Sequence, residues 1–193
     1  MKIKTLVAVL LLSGGVTSTF AQSDCNANSS ISHEAVRAKN FKDAYAPCME
    51  VLKDCPTLRY YTYTDAQKIL VGLMSQIKDR NSAEYKKLFD ELMAVHDQKM
   101  KYIPEFATKM KGVPSVASAL GTKAVDYLQY SPAPDLNQAY VWLKESAETA
   151  KGESDGAVLH YFVDVSMQKV KADTNHTDQF FLDYINASQY ADD

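Results

Sequence analysis

From residue 65 to 79, apolar side chains recur at Ala66, Ile69, Leu70, Leu73, Met74 and Ile77. That spacing lays one stripe along a helix. Thr64 before it and Gln67 three residues later have the form of a capping box. A second stripe holds Tyr85, Leu88, Phe89, Leu92, Met93 and Met100, with Asn81 and Glu84 as its start signal. From Pro114 to Tyr130 the stripe is Val116, Ala117, Leu120, Ala124, Tyr127 and Leu128. Asp135 with Gln138 opens a helix that buries Leu136, Ala139, Tyr140, Leu143 and Ala147. Val158, Tyr161, Phe162 and Val165 mark a seventh helix. Thr177 caps an eighth, with Phe180, Phe181, Tyr184 and Ile185 on its buried side. Two earlier helices cover about 29–38 and 41–53. No stretch of four or more residues alternates convincingly. The pattern predicts an all-α chain of about eight helices and no sheet.

The links between these helices are short and carry breakers, such as Lys39-Asn40, Cys55-Pro56-Thr57 and Ser131-Pro132-Ala133-Pro134. Short links make neighbouring helices antiparallel. Only the stretch from Ile103 to Val113, holding Pro104 and Gly112, is long. Eight antiparallel helices fit either stacked hairpins or a closed, non-repeating bundle. Asn28-x₂-Ile31-Ser32-x₂-Ala35, followed by Ala44-x₃-Cys48 and Pro56, follows a known hairpin-repeat pattern. Ala117-x₂-Leu120-Gly121-x₂-Ala124 with Ala139-x₃-Leu143-x₂-Ser146 repeats the small-large-small logic that lets paired helices approach. On these residues the chain resembles the tetratricopeptide superfamily, which implies a right-handed solenoid of stacked hairpins. The large aromatics that open that repeat are missing, replaced by Asn28 and Ala35.

The first 21 residues form a separate unit. A basic Met1-Lys2-Ile3-Lys4, an apolar run from Leu6 to Leu12 and small residues around Thr19-Phe20-Ala21 predict a secretory signal peptide cut before Gln22. The mature part, 22–193, then carries no segment able to span a bilayer. Cleavage takes the formal charge from −3 to −5, which excludes the basic excess of a nucleic-acid binder. Asp24-Cys25, Lys42-Asp43-Ala44-Tyr45-x-Pro47, Cys55-Pro56, Tyr63-Thr64-Asp65 and Ala139-Tyr140-x-Trp142-Leu143-Lys144 are similar to exported tetratricopeptide-like proteins of Gram-negative gut bacteria. The resemblance implies export, as a soluble periplasmic or secreted protein, and a helical-repeat fold. It implies no activity.

Export places the three cysteines where disulfides persist. In a helical hairpin the start of the first helix meets the end of the second, so Cys25 is expected to pair with Cys55. Cys48 stands two turns from Cys55, about 10 Å along the axis and out of disulfide reach, so it reads as a buried free thiol. Closing the loop between Cys25 and Cys55 is worth roughly 3–4 kcal/mol.

Chemistry-bearing motifs are few. There is no glycine-rich nucleotide loop, no Gly-x-Ser-x-Gly and no Cys-x₂-Cys. His33-Glu34 lacks the second histidine of a zinc-protease helix. His96, on the stripe of Phe89, Leu92 and Met100, reads as a hydrogen-bonded interfacial histidine. No catalytic residue, metal or cofactor is expected. Tyr60, Tyr61 and Tyr63 cluster at the entry to the third helix and supply rigid amphipathic area for contact or packing. Asp65, Lys68, Gly72 and Gln76 share one polar or small face of that helix; Ser115, Ser118, Thr122 and Asp126 share one on the fifth. In a solenoid such faces line the concave surface. The expected function is a non-enzymatic scaffold that binds a protein or peptide of the cell envelope there. A small-ligand carrier, or an enzyme whose site assembles only in three dimensions, is the alternative.

Overall fold

A computed structural model describes residues 17–192 of the chain. The basic and apolar parts of the expected leader lie outside them. Eight α-helices follow in order: α1 (Thr17–Arg37), α2 (Phe41–Asp54), α3 (Tyr61–Met74), α4 (Ala83–Lys109), α5 (Val116–Tyr130), α6 (Leu136–Ala150), α7 (Gly156–Ala172) and α8 (Thr177–Asp192). Short 3₁₀ turns at Lys151–Glu153 and Thr174–His176 precede the last two. Among the described residues there is no strand.

Each helix packs on its neighbours in sequence, and α1 also meets α3, α5 meets α7, and α6 meets α8. Neither α7 nor α8 packs substantially on α1 or α2. Two apolar cores result. One joins α1 to α4 through Leu52, Tyr63, Ile69, Leu70, Met74, Leu92 and Phe106. The other joins α5 to α8 through Leu143, Val158, Phe162 and Val165.

Helix ends depart from the sequence pattern for identifiable reasons. The first helix begins at Thr17, well ahead of residue 29 and of the expected cut after Ala21. The third begins at Tyr61, so Thr64 is no cap: its hydroxyl donates back to the Tyr61 carbonyl inside the helix. The inward-facing Thr62 and Tyr63 extend the buried stripe backwards. Ser82, not Asn81, caps α4, its hydroxyl accepting from the Tyr85 N–H. That helix runs straight through Pro104 to Lys109, so the long connection expected at 103–113 shrinks to 110–115. A proline inside a helix costs about 3 kcal/mol. Burying Ile103 and Phe106 on the same stripe offsets it, at about 1.5–3 kcal/mol each.

The eighth helix is turned over. Phe181, Tyr184 and Ile185 are 57, 54 and 51% exposed, whereas Asp183 and Ala187 are buried. The cause is the hydrogen bonding of Asp183, described below.

Cys25 and Cys55 form the expected disulfide, their Cα atoms 6.4 Å apart, and tie α1 to the end of α2. Cys48 is free and buried. Burial pushes its thiol up to about 11, so it stays protonated and inert.

Small residues mark the closest approaches. A Cβ on Gly121 would collide with Ser146 Oγ and both Val158 methyls, so the glycine lets α5 reach α6 and α7. Replacing Gly121 with Ala should lower unfolding free energy by about 1–3 kcal/mol, through overpacking against two neighbours that cannot swing away. Adding Val158→Ala should recover part of the loss, since it removes the methyls in the way. Denaturant titration of the two variants checks this.

Candidate functional site

At the α3 entry the three tyrosines take three different places. Tyr60 is half-buried, with its ring edge-on to Phe106 at 5.5 Å between centroids. Tyr61 is also half-buried: its hydroxyl accepts from Arg59 Nη1 at 2.8 Å, and its ring lies 4.6 Å from that of His33. Tyr63 has no exposed surface, and its hydroxyl donates to the Pro56 carbonyl. Asp65 is buried too, with Oδ2 2.7 Å from His33 Nδ1. Tyr63 and Asp65 therefore belong to the interior and not to a groove wall. Lys68 and Gln76 are exposed. Gln76 borders a cleft of about 550 Å³ shared with Lys42, Tyr45, Ile77 and Lys87.

On α5, Ser118 and Thr122 are half-buried and bonded to each other through the Ser118 carbonyl. Asp126 reaches across the boundary between the two cores. Its Oδ2 stands 2.7 Å from Nε2 of His96, which is fully buried on α4. The far nitrogen of that ring, Nδ1, lies 3.0 Å from Gln67 Nε2 on α3. One histidine thus links α3, α4 and α5, and α3 and α5 make no comparable contact of their own.

One turn on from His96 lies Lys99, 6% exposed. Its ammonium sits 5.5 Å from the centre of the Tyr60 ring, within cation–π range. Among the described residues, no carboxylate comes within ion-pair distance of it. Burial pulls its pKa down, and Asp126 draws it partly back up. Lys99 thus brings together Tyr60 and Asp126, two of the residues singled out on α3 and α5. The sequence signal for it was a lysine on the inward stripe His96–Lys99–Ile103–Phe106.

On the other side of the same boundary, Lys123 is buried between Asp97 Oδ1 and the ring of Trp142, 4.6 Å from its centre. Beside them opens a groove of about 600 Å³, floored by Met100, Val116, Leu120 and Trp142.

A third cluster pins α8. The carboxylate of Asp183 accepts from Tyr140 and Ser166 on Oδ2, and from Lys144 and Gln179 on Oδ1. Burial works to raise its pKa, but the bonds from Ser166, Tyr140, Gln179 and Lys144 prevail and hold it below the ordinary carboxylate value. Ser166 also stands 3.1 Å from His176 Nε2. This is not a nucleophile–base pair. The serine gives its one proton to Asp183, so it can only accept from the histidine. The carboxylate lies on the same Nε2 side, at 4.0 Å, instead of holding the far ring nitrogen. Both Ser166 and Asp183 have no exposed surface. Among the described residues no three His, Cys, Asp or Glu side chains converge as metal ligands. No helix there is long and apolar enough to cross a membrane.

No protein-family model, curated protein or solved structure matches the chain.

Replacing Asp183 with Ala should cost about 3 kcal/mol or more, because four donors lose their acceptor, leaving Lys144 with Glu148 alone. A carboxylate depressed in the native state stabilises fully above its unfolded-state value. That contribution is lost as pH falls through the lower native value. Acid unfolding followed by circular dichroism should therefore shift to higher pH in Asp183→Asn.

Lys99→Met should act in the opposite direction, stabilising by about 1 kcal/mol or more by removing a desolvated charge. The native amine loses its proton before the unfolded one does, so the gain is complete while both states are protonated. It shrinks as pH rises towards 10.5, the value for an exposed lysine. Urea titrations at pH 7 and 10 measure the difference.

Proposed function

We propose that the protein is an exported, non-enzymatic interaction scaffold, its helices stacked as tetratricopeptide-like hairpins, that binds a protein or peptide segment along the face lined by α1, α3 and α5. One observation carries the proposal. In the gap between α3 and α5 lies Lys99, a cation that has no hydrogen-bond acceptor among the described residues; it sits over an aromatic ring and beside a carboxylate whose second oxygen takes no donor among them. An extended chain presents carbonyls, amides and side-chain carboxylates, which can supply the acceptor that Lys99 lacks and a donor for Asp126. Tyr61 and the exposed Lys68 stand on the same helix as walls for such a segment. Export draws support from the leader pattern and from a disulfide, which persists in oxidising compartments. The nearest-neighbour order of helix packing supports the stack over a closed bundle.

The test is a pull-down from envelope extract with the non-reduced protein, repeated with Tyr61→Ala, Lys68→Glu and Lys99→Met. A single partner is expected, with recovery falling at least about ten-fold for Lys99→Met, the equivalent of one lost charge-assisted bond. Since that variant should be more stable than the parent, its loss of binding cannot come from unfolding. A partner held equally by all three variants would rule out this face. A small molecule that co-purifies in stoichiometric amount, with no macromolecule, would replace the scaffold with a carrier.

A further inference from the structure

The outward face of α8 carries Phe181, Leu182, Tyr184 and Ile185, each more than half exposed. Four large apolar side chains within little more than one turn are not scattered surface residues but a patch. The charges that flank it along α8 are acidic, Asp178 and Asp192, and the helix has no Lys or Arg. That excludes an anionic membrane surface as its cover, because such surfaces recruit basic segments. The first helix does not match it either: over residues 24–37 its outward side exposes one large apolar residue, Ile31, among Ser30, Glu34 and Arg37.

The patch does match itself. Its members lie symmetrically around the buried Asp183, at one and two residues on either side. We propose that α8 pairs with α8 of a second copy of this chain, antiparallel, about a two-fold axis level with residue 183. At 100° per residue, Phe181 and Ile185 occupy the middle of the outward face, with Leu182 on one flank and Tyr184 on the other. The two-fold operation sets Phe181 against the partner's Ile185. It brings Leu182 to the partner's Leu182 on one side and Tyr184 to the partner's Tyr184 on the other.

The charges fit the same register. Asp178 falls beside the partner's Ser188 and Gln189, which carry hydrogen-bond donors and no charge. Asp192 lies about two and a half turns from the axis, beyond the patch. A parallel arrangement would instead set each Asp178 on its own copy. An isologous contact of this kind closes on itself and makes a dimer, not a filament. Large side chains of about 150–250 Å² that are half exposed provide on the order of 500 Å² per copy, at the low end of specific interfaces. The dimer is therefore weak and reversible. It does not depend on the partner-binding face proposed above.

Sedimentation equilibrium of the purified, non-reduced protein over a hundred-fold range of concentration tests it. The average mass should climb from monomer towards dimer. Phe181→Ser with Ile185→Ser should stay monomeric throughout, with unchanged helix content, because both residues point into solvent in the single chain. Gln189→Glu, which sets a carboxylate beside the partner's Asp178 twice per dimer, should weaken association by about ten-fold, and Gln189→Lys should tighten it. A monomer at every concentration would overturn the proposal. So would a dimer that the Phe181/Ile185 variant leaves intact. A dimer unmoved by either change at Gln189 would reject the antiparallel register and with it the pairing as stated.

Discussion

His96 has no exposed surface and stands where the two apolar cores meet. Its ring, held by Asp126 on one side and Gln67 on the other, joins helices that barely touch otherwise. Around it the boundary is crossed by further directional bonds. Lys123 reaches Asp97, the Tyr85 hydroxyl donates to the Tyr130 carbonyl, and Arg80 donates to the Gln129 carbonyl. Apolar packing would tolerate many relative rotations of the two halves. Bonds of 3.0 Å or less with fixed donor and acceptor directions tolerate few. The gap between α3 and α5, and hence the place of Lys99, is set by these bonds.

The same division of labour recurs at α8. That helix offers the second core little apolar surface, Ala187 and part of Tyr190. Four donors on one carboxylate take its place. Orientation then follows from where Asp183 must point, and the large apolar side chains are left outside. At the opposite end the constraint is covalent, through Cys25 and Cys55, and acts mainly by narrowing the unfolded ensemble.

Helices from α2 to α7 were legible in the apolar period because their stripes are filled with residues that have nowhere else to go. Leu92, Leu143 and Phe162 are examples, each without exposed surface. The small-residue pattern at Gly121 and Ser146 likewise announced a close approach that the helices make. The period failed where a polar group outranked it. In α8 the sequence offers Phe181, Tyr184 and Ile185 as a stripe, and nothing local says that Asp183 will find four donors on α6, α7 and its own helix. It failed also at Pro104, where a local breaker lost to burial on either side. In the candidate site, facing residues on α3 and α5 could be listed from spacing alone. Which of them turn inward could not, because Asp65 is buried by His33, thirty-two residues away. Lys99 became a site residue only once Tyr60 and Asp126 closed on it.

Trp142 is the chain's single tryptophan, and it stands at the boundary between the cores with the Lys123 ammonium over its ring. Tyr127, which meets the first core, makes a T-shaped contact with that ring at 5.3 Å. An indole in contact with both a cation and a tyrosine emits according to how each is placed. The molecule therefore carries its own optical gauge of the joint between its halves, while its twelve tyrosines are spread over both. If one half loosened or swung relative to the other, the colour and yield of this one fluorophore would change with no label attached.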